Sequence, residues 1–141
     1  MIWLVYYIQR IGKIIGDINR FQQDLRGLNI KTAKDLQDKK NFYSVSMLLF
    51  SILNRCINLG EEIVTAENLG TPATYRDIFV LLNRKKIITL ILEQKLSSLM
   101  RLRNALAHEY EDFTEKDVFD GLRSLSAVGE FVVIVKDLIK K

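Results

Sequence analysis

The chain has 141 residues, which is the size of one domain able to bury roughly 70% of the surface its unfolded form exposes, so no disulfide or metal staple is required. A hydrophobic fraction of 48% with 27% charged residues fits a packed core under a polar surface and excludes intrinsic disorder. The formal charge of +4 and a pI near 9.2 favour an anionic partner, although the basic and acidic residues are spread along the whole chain as on an ordinary solvated surface.

Apolar residues at Tyr7, Ile11, Ile14, Ile15, Ile18, Phe21 and Leu25 recur at three-and-four spacing, which predicts a first amphipathic helix over residues 2–26, ended by Gly27. Its opening run, Ile2 to Ile8, stops at Gln9-Arg10, far short of the ~20 apolar residues needed to span a bilayer. No basic stretch precedes it, so neither a membrane anchor nor a signal peptide is expected. Gly12 and Gly16 form a small-xxx-small pair that allows close approach of another backbone or is incidental outside a membrane.

Residues 28–40 are polar and lysine-rich, with Thr32 placed to cap a short helical turn around Asp35 and Leu36. A second long helix is expected from Asn41 to about Asn68, with Val45, Leu48, Leu49, Ile52, Leu53, Cys56, Ile57, Leu59, Ile63 and Val64 spread widely around it. A helix apolar over so much of its circumference belongs at a bundle centre, or at a bundle and a subunit interface together. Cys56 is the only cysteine, which rules out an internal disulfide and points to a buried thiol in a reducing cytoplasm. Leu69-Gly70-Thr71-Pro72 then breaks the chain, and a third helix is expected from about Ala73 to Asn83, closed by the cationic Arg84-Lys85-Lys86.

Thr89 can cap a fourth helix whose apolar Leu92, Leu96, Leu99, Met100 and Leu102 lead into Arg103-Asn104-Ala105-Leu106-Ala107-His108-Glu109-Tyr110. Thr114 and Asp117 resemble a capping box opening a last helix to about Lys140, on which Phe131 to Val135 form the buried face. The expected fold is all-α, one domain over residues 1–141 built as an up-and-down bundle of four to five helices.

One histidine and one cysteine exclude a zinc site of the usual kind, and no Walker or dinucleotide glycine loop is present, so neither a metal nor a cofactor is expected. Glu109, Glu111, Asp112, Glu115 and Asp117 could hold a magnesium ion or simply form a solvated turn with favourable charge at a helix N-terminus. The remaining constellation is Arg103, Asn104, His108 and Tyr110. On a regular helix Asn104 and His108 stack on one line, four apart, while Arg103 and Tyr110 lie on a second line roughly 100–140° away. Such groups suit RNA cleavage without metal: imidazole moves protons near neutral pH, and guanidinium holds two phosphate oxygens. The same residue types also serve as caps and surface contacts near helix ends. Acid and base duties ask for two groups, and a dimer that brings two copies of the motif across one cleft supplies the second histidine.

Arg103-Asn104-x-x-x-His108-x-Tyr110 resembles the R-x4-H-x-Y signature of HepT-like proteins in the HEPN superfamily. Pro72-Ala73-Thr74-Tyr75-Arg76-Asp77-Ile78-Phe79 is similar to that family's proline-led helix opening, and Leu99-Met100-Arg101-Leu102 to its apolar lead-in, so the likeness covers about residues 41–125. The resemblance implies a cytoplasmic homodimer with two motifs facing one cleft. It also implies the toxin of a type II toxin–antitoxin system acting as a metal-independent endoribonuclease on RNA. The implied partner is a minimal nucleotidyltransferase (MNT) antitoxin that transfers AMP to the motif tyrosine. Arg103 and His108 would then be catalytic, Asn104 a supporting polar group and Tyr110 the AMP acceptor. Ala105 and Ala107 are smaller than the apolar residues common there. The alternative is a non-catalytic HEPN dimer that regulates, or binds substrate for, a nucleotidyltransferase.

Overall fold

The first helix, α1 (Ile8–Gly27), buries Ile11, Ile14, Ile15, Ile18 and Leu25 along the stripe that the spacing predicts. The computed structural model describes residues 6–108 and 113–140, so residues 2–5 of the expected first helix lie outside it, and Tyr6 and Tyr7 precede α1. Gly27 is the last helical residue, but the left-handed turn that stops the chain falls on Asn29 at φ 56°, a residue type that tolerates this conformation. Gly12 and Gly16 have open space where a side chain would stand, so among the described residues of this chain no backbone packs against them.

A 3-10 helix (Ala33–Gln37) follows, where Asp35 accepts from the backbone N–H groups of Lys31 and Thr32 at 2.8 and 3.0 Å, bonds that hold its carboxyl below the usual range. Asp38 then caps α2 (Lys39–Ala66) by accepting from Lys40 and Asn41. This helix touches every other helical element and buries Val45, Leu49, Ile52, Leu53, Cys56, Ile57, Leu59, Ile63 and Val64. By length and mean hydropathy it could cross a membrane; here it is the central strut of the bundle, which is what its wide apolar stripe requires. Asp17, itself buried on α1, accepts Arg55 Nε at 3.0 Å, with Arg20 at 3.3 Å and Lys13 at 3.6 Å, so an ion cluster locks α1 to α2.

Helix α3 (Tyr75–Arg84) starts two residues after the expected Ala73, because Thr74 is the cap: its Oγ1 accepts from Asp77 N–H at 3.1 Å, and Asp77 accepts back from Thr74 N–H at 3.2 Å. Gly60 lets α3 approach α2 closely, with Ile78 and Phe79 against it, and Phe79 meets Phe131 edge to face at 5.7 Å. Thr89 caps α4 (Leu90–Ala107) as expected, its Oγ1 accepting Leu92 N–H at 3.1 Å.

The expected fifth helix is two: α5 (Glu115–Arg123), capped by Thr114 and Asp117, and α6 (Ser126–Ile139). Ser124 Oγ donates back to the Asp120 carbonyl at 2.9 Å, and Ala127 and Val128 bond three residues back, a tightened turn that breaks the helical register. The expected apolar face survives the break, with Phe131, Val132 and Val135 buried on α6. No strand occurs among the described residues.

Candidate functional site

The motif arginine and histidine stand at the C-terminal end of α4. The helix stops at Ala107, and His108 leaves it in an extended conformation, φ −113° and ψ 108°. The regular register that would stack Asn104 under His108 therefore ends one residue too early. Asn104 instead faces its neighbour: its Oδ1 accepts from Arg103 Nη1 at 3.3 Å. His108 is exposed at the end of the helix. Tyr110 lies outside the described residues, as do Glu109, Glu111 and Asp112.

Arg103 is half-buried and held from two other helices. Its Nε donates to Asn54 Oδ1 of α2 at 2.8 Å. Its guanidinium carbon lies 5.3 Å from the centre of the Phe50 ring, also on α2, and 4.6 Å from that of Tyr75, the first residue of α3. Both distances are within reach of a cation–π contact. Among the described residues no carboxylate stands within ion-pair distance of Arg103, so its charge is not cancelled there.

The acidic residues near the motif do not form an ion site among the described residues: no three His, Cys, Asp or Glu side chains converge, and Asp117 is occupied in the cap of α5. A groove of about 610 Å³ runs between α4 and α5 past Arg101, Leu102, Phe113 and Gly121, on a face of α4 that does not include Arg103. Cys56 is the buried thiol expected, and burial pushes its pKa up to about 12, so it has no nucleophilic role.

Phe50, Asn54 and Tyr75 were not legible as site residues from the sequence. Only one signal pointed to them: Asn54 is an amide set in the apolar stretch of α2, four residues from Phe50. The chain carrying this arginine and histidine at the end of α4 matches the sequence pattern of the ribonuclease HepT-like family over residues 6–134. The chain belongs to the ribonuclease HepT-like family. Among its relatives is the mRNA nuclease HepT of Shewanella oneidensis, 32% identical over 105 residues that cover 74% of this chain and 68% of that protein. The tRNA nuclease HepT of Aphanizomenon flos-aquae is 25% identical over 112 residues, covering 79% of this chain and 72% of that one. The tri-AMPylated HEPN toxin of Shewanella oneidensis, solved in complex with an MNT antitoxin, superposes with a TM-score of 0.82 at 26% identity, covering 90% of this chain and 96% of the toxin. The all-helical HepT-like fold expected from the motif is thus the fold this chain has.

Proposed function

We propose that this HepT-like chain is the toxin of a toxin–antitoxin pair, a ribonuclease that cleaves RNA without metal. The observation that carries the reading is the state of Arg103: fixed in place, paired with no carboxylate among the described residues, and set on the same helix end as the exposed His108. The ribose 2′-hydroxyl attacks the adjacent phosphorus, and Arg103 neutralises the charge that builds on the phosphate oxygens. One imidazole takes the 2′-proton while a second, protonated imidazole gives its proton to the departing 5′-oxygen. The products are a 2′,3′-cyclic phosphate and a 5′-hydroxyl. Asn104 supports Arg103 through its 3.3 Å bond.

A homodimer supplies the second histidine. Tyr43 and Met47 stand 65% and 71% exposed on α2, at helical spacing with Phe50 and Asn54, an apolar extension of the site suited to a second copy. The antitoxin is an MNT-type nucleotidyltransferase acting on Tyr110. It transfers AMP from ATP to the phenolic oxygen and releases pyrophosphate; the added phosphodiester anion, two residues past His108, competes with RNA for Arg103. The AMPylated toxin–MNT complex from Shewanella oneidensis supports this pairing. With RNA as substrate and an ATP-using partner, the protein works in the cytoplasm.

The test is cleavage of transcribed mRNA and of transfer RNA by the purified protein in EDTA, against His108→Ala. Cyclic-phosphate ends made by the wild type and absent with the variant are expected. Products with 5′-phosphate ends, formed only when magnesium is added, would overturn the reading.

A further inference from the structure

We infer that Asn54 and Tyr75 are positioning residues that hold Arg103 extended and charged, with no carboxylate partner among the described residues, ready for an RNA phosphate. The inference rests on the ribonuclease reading above and adds the device that prepares its arginine.

An arginine side chain has four rotatable bonds to fix before it can grip a phosphate, and whatever freezes it beforehand lowers the cost of binding. Three contacts from two other helices do this here. Asn54 takes the Nε hydrogen at 2.8 Å, while the rings of Tyr75 and Phe50 lie 4.6 and 5.3 Å from the guanidinium carbon. Nη1 keeps only the longer 3.3 Å bond to Asn104, and Nη2 has no hydrogen bond among the described residues. The Nε edge is thus anchored, and among the described residues the terminal nitrogens, which form the phosphate-binding fork, meet only the Asn104 oxygen.

The chemical nature of the anchor matters as much as its place. A carboxylate at position 54 would bond the arginine more strongly, through a charge-assisted pair, and would make the better staple between α2 and α4. It would also cancel the positive charge that a phosphate requires. An amide oxygen accepts one bond and leaves the whole charge in place. Tyr75 works in the same direction: a ring attracts the cation without neutralising it. Both contacts read as a choice for orientation over binding strength, which is what a phosphate site needs and a purely structural staple does not.

This gives a test in which a structural role and a positioning role predict opposite results. Asn54→Asp strengthens the staple, so its melting temperature should equal or exceed that of the wild type. Its kcat/KM on transcribed mRNA should fall about ten-fold or more, because the arginine is now paired. Binding of a labelled 2′-O-methyl oligoribonucleotide should lose about 0.7 of its salt slope, the value of one phosphate contact on a single strand. Tyr75 is 37% exposed and tolerates change, so it carries the test even if position 54 does not: Tyr75→Phe should retain wild-type cleavage and Tyr75→Leu should lose several-fold. A wild-type rate and salt slope in Asn54→Asp, or equal rates for Tyr75→Phe and Tyr75→Leu, would overturn the inference while Arg103→Ala remains inactive. Cleavage retained by Arg103→Ala would overturn the ribonuclease reading of the site and this inference with it.

Discussion

Gly60→Ala is a one-carbon change whose effect follows from the seam between α2 and α3. A Cβ at this position would stand 2.6 Å from Ile78 Cγ2 and 3.5 Å from Phe79 Cε1. Carbon atoms in favourable contact sit at about 3.5–4.0 Å, so the first contact is short by about 1 Å. Neither neighbour has room to retreat: Ile78 is 1% exposed, Phe79 is fully buried, and a β-branched side chain in a helix has essentially one rotamer. The helices must separate, at an overpacking cost of about 1–3 kcal/mol. Alanine recovers about 1 kcal/mol of helix propensity over glycine, which leaves a net destabilisation of about 1 kcal/mol. Gly12→Ala and Gly16→Ala supply the control, since they gain the same propensity in α1 with nothing within 4 Å to meet, and each should stabilise by about 0.5–1 kcal/mol. In thermal unfolding followed by far-UV circular dichroism, Gly60→Ala should melt lower by about 3–5 °C and the other two higher by up to a similar amount. Stability of Gly60→Ala equal to that of Gly12→Ala would show that α3 does not pack against α2 at this distance.

Burial pushes the Cys56 thiol up to about 12, whereas an unfolded cysteine titrates near ~8.5. Below that lower value both states are neutral; above it only the unfolded state ionises, so stability should fall as pH rises from about 8.5 towards about 12. The urea midpoint of the wild type should therefore decline more steeply above pH ~8.5 than that of Cys56→Ala, and parallel curves would refute the burial. Thr89→Ala removes the bond to Leu92 N–H and should cost about 1 kcal/mol in urea unfolding; an unchanged midpoint would show that the cap does not hold α4. Sedimentation should give twice the 16.4 kDa chain mass, and a monomer at micromolar concentration would remove the two-histidine site.

Most of the fold was legible because it is written in local signals. The three-and-four stripe of Ile11, Ile14, Ile15 and Ile18 marked the buried face of α1, and Thr89 and Thr114 marked two helix starts at which their side chains do accept the capping bonds. Two of the misreadings share one cause, which is competition between side chain and backbone at a boundary. Pro72 suggested a helix start near Ala73, but Thr74 with Asp77 forms a reciprocal cap and sets the start at Tyr75. Helicity was expected straight through Ser124, but its hydroxyl bonds back to Asp120 and the following N–H groups reach only three residues back. Composition does not distinguish a serine that continues a helix from one that bends it; the choice depends on where α6 must lie for Phe131 to reach Phe79.

The site divides along the same line. Arg103 and His108 could be singled out as candidates because they lie five residues apart in one stretch, within reach of reasoning about a single helix. The groups that set the state of Arg103 could not be found that way. Asn54 lies 49 residues away on α2, and its bond to Nε exists only because α2 and α4 pack side by side. Tyr75 reaches the guanidinium because the Thr74 cap begins α3 at that residue. A motif thus names candidate groups, while their surroundings and orientation are decided by tertiary contacts that no local pattern records. For this protein the decisive contact is a neutral amide where a carboxylate would bind more tightly, and that preference becomes visible only when the guanidinium is seen with its neighbours.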